Sequence, residues 1–223
     1  IMSSDWSSDV CSSDLIRPAV LITTLLAAVS LLSAEPCFEI DSLVGKAEVQ
    51  RAGMLNWKIV KAGTKLYNND VFRVLEKSHA KILSNSGSMI YINENSQILI
   101  NLAENRDQNI LSNYITVFFG ATFFVIKKML PKKLTIQTHT KVYTPTAVMS
   151  IRGTAFTVDV EKKSGKTAVQ VMNGTIVVKN IIRSISSFLS SPYKSTIEVN
   201  SDPAPAAPIL ENDITVLKSW VPE

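Results

Sequence analysis

The sequence is short of the residues that build metal centres, cross-linked scaffolds and hydrolytic sites. Its 223 residues hold two cysteines, Cys11 and Cys37, and two histidines, His79 and His139. Two thiols exclude a disulfide-rich scaffold and any four-thiolate metal site. Neither histidine has a cysteine or an acid cluster at ligand spacing, so no metal or other cofactor is expected. Serine is plentiful, yet no Gly-x-Ser-x-Gly elbow and no nucleophile–base pair is present. Asp70 and Glu76 come nearest to paired carboxylates, but Asp70 fits better as the residue that closes the Asn68-Asn69 turn. Charge is scarce as well, since only 19% of residues are charged while 46% are hydrophobic. An average globular domain carries about 25% charged residues, and ample apolar content excludes wholesale disorder. The length fits one domain with a small appendage. Nothing in this composition suggests catalysis.

The first 34 residues read as two segments outside the folded body. Ser3-Ser4-Asp5-Trp6, Ser7-Ser8-Asp9-Val10 and Ser12-Ser13-Asp14-Leu15 are near-copies of one another. Cys11-Ser12-Ser13-Asp14-Leu15 resembles the translated end of a sequencing adapter, so residues 1–15 are expected to be an artefact rather than a native Ser/Asp-rich tail. Residues 16–34 then place Arg17 before an uncharged apolar run from Pro18, with Ser33-Ala34 as a small-residue exit. Those are the parts of a secretory signal peptide, cleaved after Ala34. A retained anchor is the alternative, because the run just reaches the roughly 17 residues needed to span a bilayer. Removing residues 1–34 takes away Arg17, Asp5, Asp9 and Asp14, so 22 basic and 16 acidic residues remain, a net charge of +6. The lone thiol left would be Cys37, near a flexible terminus. The expected location is the periplasm, or the cell surface after secretion.

From 45 to 180 the pattern is that of short strands. Phe156, Val158 and Val160 alternate with polar residues, as do Ile98, Ile100 and Leu102, and Val169 with Val171. Such alternation buries one face of a pleated strand and leaves the other toward water. Lys163-Ser164-Gly165-Lys166 and Asn173-Gly174 are turn signals, the latter the dipeptide best suited to a tight hairpin. Met89-Ile90-Tyr91-Ile92 and Thr122-Phe123-Phe124-Val125-Ile126 are continuous apolar runs, which predict strands buried on both faces. The polar stretch from Asn101 to Asn113 predicts a loop. The expected fold is therefore all-β, a two-layer β-roll or sandwich or an irregular β-solenoid. Residues 181–223 form a C-terminal extension, in which 181–192 suits either a helix or a last strand. A Pro/Ala linker from Asp202 to Pro208 follows, and then a terminal helix over Ile214–Trp220.

An ordered set of residues in this body resembles the FecR domain family. It opens with Gly45-Lys46-Ala47-Glu48-Val49, Trp57, Ala62-Gly63-Thr64-Lys65-Leu66 and Asn69-Asp70-Val71-Phe72-Arg73. Gly87-Ser88-Met89-Ile90-Tyr91-Ile92 and Val117-Phe118-Phe119-Gly120-Ala121 continue it. Thr144-Pro145-Thr146-Ala147-Val148, Ile151-Arg152-Gly153-Thr154, Phe156 and Gly174 close it. The family's namesake is an iron-citrate regulator that carries a signal from an outer-membrane receptor to a sigma factor. The resemblance implies an exported, stand-alone, non-catalytic module that senses or binds. An envelope protein is its expected partner, and a surface glycan met by Trp and Tyr rings is the alternative. The periplasmic part of a truncated, membrane-anchored sigma-factor regulator is a weaker one.

Within that set, Arg152 and Gly153 could hold a carboxylate or phosphate, but a glycine inside a strand pattern more often marks a bulge. Thr144 and Pro145 read as a strand-end device lacking a donor. Lys127, Lys128, Lys132 and Lys133 bracket Met129-Leu130-Pro131 and make a candidate anionic-surface patch, although charge runs more often mark a solvated hairpin tip, which is the favoured reading. Membrane contact is expected only through that patch or a retained N-terminal segment. Nucleic acid is not an expected partner, because the patch lacks interleaved aromatics.

Overall fold

The computed structural model describes residues 35–105, 110–127 and 137–221. The expectations for residues 1–34, and for Lys128, Lys132 and Lys133, lie outside the described residues. Along the chain the strands are β1 (Phe38–Val44), β2 (Ala47–Gln50), β3 (Trp57–Val60), β4 (Lys65–Leu66), β5 (Val71–Val74) and β6 (His79–Ser84). There follow β7 (Met89–Ile92), β8 (Ser96–Asn105), β9 (Ile110–Val125), β10 (Gln137–Tyr143), β11 (Ala147–Ile151) and β12 (Ala155–Val160). The last are β13 (Thr167–Asn173), β14 (Thr175–Asn180), β15 (Ser186–Ser190), β16 (Tyr193–Ile197) and β17 (Ala207–Pro208), before helix α1 (Glu211–Lys218). The all-β expectation holds.

The strands join into one open sheet made of two halves. The first half runs β4-β1-β6-β7-β9-β12-β13-β16-β17. The second runs β3-β2-β5-β8-β9-β10-β11-β14-β15. Strand β9 serves both, pairing with β8 as far as Phe119 and with β12 from Gly120 onward. Its parallel pairing with β10 makes the sheet mixed. Ile40, Ile82, Ile90, Phe124, Phe156 and Val169 of the first half share one buried cluster with Val49, Phe72, Ile98, Ile115, Met149 and Val178 of the second. Two inner faces filling one core make two layers packed face to face.

Crossing from one layer to the other demands a sharp change of strand direction. Those corners carry left-handed residues: Gly45, Gly63, Asn69, Lys77, Asn95, Gly120, Gly153 and Gly174 all have positive φ. The Asn173-Gly174 hairpin expected from the dipeptide is one of these corners instead. Strand β13 pairs with β12 and β16, whereas β14 pairs with β11 and β15, so the chain changes layer at Gly174. A Cβ there would lie 2.7 Å from Thr154 Cγ2, which explains glycine by close approach as well as by φ. The turn over Lys163–Lys166 does close the β12–β13 hairpin.

Other expectations are revised. The runs at β7 and the end of β9 are buried only on the inner face. Ile90, Ile92, Thr122 and Phe124 are buried, while Met89, Tyr91, Phe123 and Val125 are half-buried on the outer one. Their continuous hydrophobicity comes from an outer row in which the Tyr91 and Phe123 rings lie 5.8 Å apart. The loop expected at Asn101–Asn113 is largely two strand arms, β8 and β9, paired from Gln97–Phe119 out to Asn105–Ile110. Cys37 is not at a free end. It is buried, its N–H donates to Leu66 O at 2.8 Å, and burial, then nearby Asp70, pushes its thiol pKa up. Past Asn180, β15 and β16 extend the two layers, and Leu189 and Ile197 join the core.

Candidate functional site

The side chains most clearly organised toward solvent sit at one corner of the second layer, around the β2–β3 hairpin. Gln50 pairs with Trp57 and Val71, and Glu48 with Ile59 and Arg73, so β2, β3 and β5 present one outer face. On it the Arg73 guanidinium lies over the Trp57 ring, 3.8 Å from its centroid, and Arg73 Nε donates to Glu48 Oε2 at 2.7 Å. A stacked, ion-paired guanidinium is held flat, and Lys could not reproduce both contacts. Next to it, Arg51 lies over Tyr67 at 5.1 Å and forms an ion pair with Asp70. Asp70 is buried, and its carboxylate also accepts the Tyr67 N–H at 2.7 Å. That carboxylate fixes the turn into β5 while Arg51 ties the turn to the hairpin.

Above this polar floor stands an apolar tip. Met54, Leu55 and Ile59 are 60%, 90% and 75% exposed. Gln50 Nε2 donates to Leu55 O at 2.9 Å, and Met54 N–H to Arg51 O at 2.9 Å, so the tip is tied down at its base. Large aliphatic side chains on a braced turn, beside Arg and Trp, are the materials of a protein-recognition surface. β3 is also a sheet edge, so its far side carries open backbone groups.

The other residues singled out in the sequence fall elsewhere. Gly45, Gly63, Gly120, Gly153 and Gly174 are corners, and Gly87 turns the β6–β7 hairpin beneath the Lys127 side chain. Thr144 and Pro145 lie in the β10–β11 turn, where the Thr144, Thr146 and Thr167 hydroxyls join at 2.8 Å. Arg152 is exposed at the β11–β12 corner, and no ion pair reaches it among the described residues. Thr154 is buried with its hydroxyl unpaired, and Phe156 stacks on Phe124 at 4.9 Å. Lys127 is exposed. Of these residues the structure brings Trp57 and Asp70 to the corner, Gly153, Thr154 and Gly174 together at a layer crossing, and Gly87 under Lys127. Sequence reasoning missed Arg51 and Arg73 as members of a site, because both act through cross-strand register.

A cleft of about 460 Å³ lies between the β12–β13 turn and the residues after β16. Glu161, Ser164, Lys166 and Glu198 line it. Ser164 Oγ donates to Glu161 Oε2 at 2.6 Å, and Lys166 pairs with Glu198 at 2.9 Å. These contacts brace the hairpin turn and pair the acids internally. Among the described residues no group of three His, Cys, Asp or Glu side chains could hold a metal ion, and no helix is long and apolar enough to cross a membrane.

Layered strands, glycine corners and a shared long strand define an all-β two-layer roll. Residues 70–177 match the family model for FecR, described as FecR protein, so this part of the chain is a FecR domain. Two crystal structures of a candidate anti-sigma factor from Parabacteroides distasonis ATCC 8503, at 1.65 and 2.50 Å, share its fold. Each is 16% identical with a TM-score of 0.50, covering 66% and 65% of this chain and 63% and 62% of its own. This chain thus spans less than two thirds of the length of those structures. No curated protein matches it.

Proposed function

We propose that this chain is a non-catalytic recognition module in signal transduction at the bacterial cell envelope, and that a partner protein engages the β2–β3 corner. The observation that carries the reading is the braced tip: Leu55 at 90% exposure and Ile59 at 75%, beside a guanidinium stacked on Trp57. Exposing large aliphatic side chains in a rigid frame is costly in solubility and useful only against a partner. The FecR domain and the fold it shares with a candidate anti-sigma factor support a regulatory role over a catalytic one. The apolar run preceding Glu35 supports export.

A photoreactive residue at Leu55 in living cells tests this. It should capture one discrete envelope protein, and Ile59→Asp or Arg73→Ala should abolish the adduct while leaving the fold's circular dichroism unchanged. An adduct that survives both changes removes the corner from the reading. Tight retention on envelope polysaccharide, equally unaffected, would point to a glycan instead.

A further inference from the structure

The sheet has four edges among the described residues, and three of them are blunted. β4 and β17 are two residues long, β17 ends in Pro208, and β3 carries Lys58 among its four residues. Short length, proline and lysine are the usual devices that stop an edge from pairing with another chain. β15 has none of them. It is five residues, Ser186-Ser187-Phe188-Leu189-Ser190, without charge or proline, and Phe188 is 78% exposed.

Its hydrogen-bond phase shows which groups are open. Asn180 N–H donates to Ile185 O at 3.0 Å, and Ser191 N–H to Gly174 O at 3.0 Å. In an antiparallel ladder the bonded pairs recur every second residue, so Ser187 and Leu189 face β14 with their backbone groups. Ser186, Phe188 and Ser190 therefore direct N–H and C=O off the edge. Leu189 is buried inward, while Phe188 lies on the outer face beside its partner Val177.

We propose that β15 is a self-pairing edge, where two copies of this chain join by antiparallel β15–β15 addition about a two-fold axis through Phe188. The segment is nearly palindromic about that residue. Centring the axis there sets Ser186 opposite Ser190 of the second copy, and Phe188 opposite its own counterpart. All three open residues are then bonded at once, and the outer row reads Val177–Phe188–Phe188–Val177 across the join. Lys179, the cross-strand neighbour of Ser186, meets serine and threonine rather than a second lysine. A two-fold join of one patch with itself closes, so it gives a dimer and not a fibre. One added strand pair is a small interface, so association should depend on concentration.

Two differently tagged full-length copies, each with Cys11→Ser and Phe188→Cys, are co-produced in cells and treated with a short bis-maleimide. Cys37 is buried and protected. The expected product carries both tags and forms several-fold more than with Ile59→Cys, an equally exposed position on the other edge. Purified full-length protein should also shift from dimer to monomer by light scattering on Phe188→Lys, with an unchanged circular-dichroism spectrum. A doubly tagged yield no greater than that of Ile59→Cys overturns the proposal. So does capture of a different protein at position 188, or an oligomeric state that Phe188→Lys leaves alone.

Discussion

Gly120 and Gly63 carry the same backbone sign and different surroundings, which makes them a matched test. Both have positive φ, but a Cβ on Gly63 meets nothing within 4 Å, whereas one on Gly120 would fall on Ser96 Oγ, with Ser96 Cα only 2.5 Å away. Gly63→Ala should therefore lose only the left-handed penalty, about 1 kcal/mol. Gly120→Ala adds overpacking against backbone and should lose about 3 kcal/mol or more. Urea midpoints at equal m-values would measure both, and equal losses would show that the layer crossing in β9 tolerates a side chain. A turn at Asn173-Gly174 was legible in the sequence, because the dipeptide favours positive φ, although the layers it joins were not. Arg73 was not, because its value comes from lying over Trp57, sixteen residues away, and register is a tertiary fact.

Element identity was legible where one face is wet and one is dry, as in β12 and β13. It was illegible in the arms of β8 and β9, where asparagine mimics a loop. There, Asn68 Oδ1 accepts the Leu102 N–H at 2.7 Å and Asn101 Nδ2 donates to Asn69 Oδ1 at 3.1 Å, so polar residues serve the sheet. Strand propensity yields to such contacts. The terminal helix follows a different logic, since no α1 residue is buried. Its attachment includes Lys194 Nζ, which reaches Asp213 Oδ2 at 2.6 Å, and the same oxygen accepts the Leu210 N–H at 2.8 Å. The lysine bond first, then the backbone donor, holds the Asp213 carboxyl below its ordinary value of 3.8. A depressed folded value means that the docking contribution is complete above that ordinary value and fades as pH falls through the lower one. Acid should thus release α1, followed by Trp220 fluorescence, before the sheet unfolds. Asp213→Asn should weaken docking at neutral pH and flatten that acid response. A response identical in the variant would assign it to another group.

At the scale of the molecule, the two layers are one cooperative unit. Strand β9 is covalently part of both, and Phe72 of the second layer shares a core with Phe124 and Phe156 of the first. Among the described residues neither inner face has another surface to bury against, so neither layer can keep its core when the other opens. Phe156→Ala, in the first layer, should cost about 3–5 kcal/mol, and so should Phe72→Ala in the second. Trp57 reports from the second layer, since it sits on β3, and far-UV circular dichroism reports on all strands. With Trp6 and Trp220 replaced by Phe, both probes should move to lower urea together for either variant, with coincident midpoints. If Phe156→Ala shifts the circular-dichroism transition but leaves that of Trp57 in place, the layers are separate folding units. The shared strand would then be a tether and not a spine.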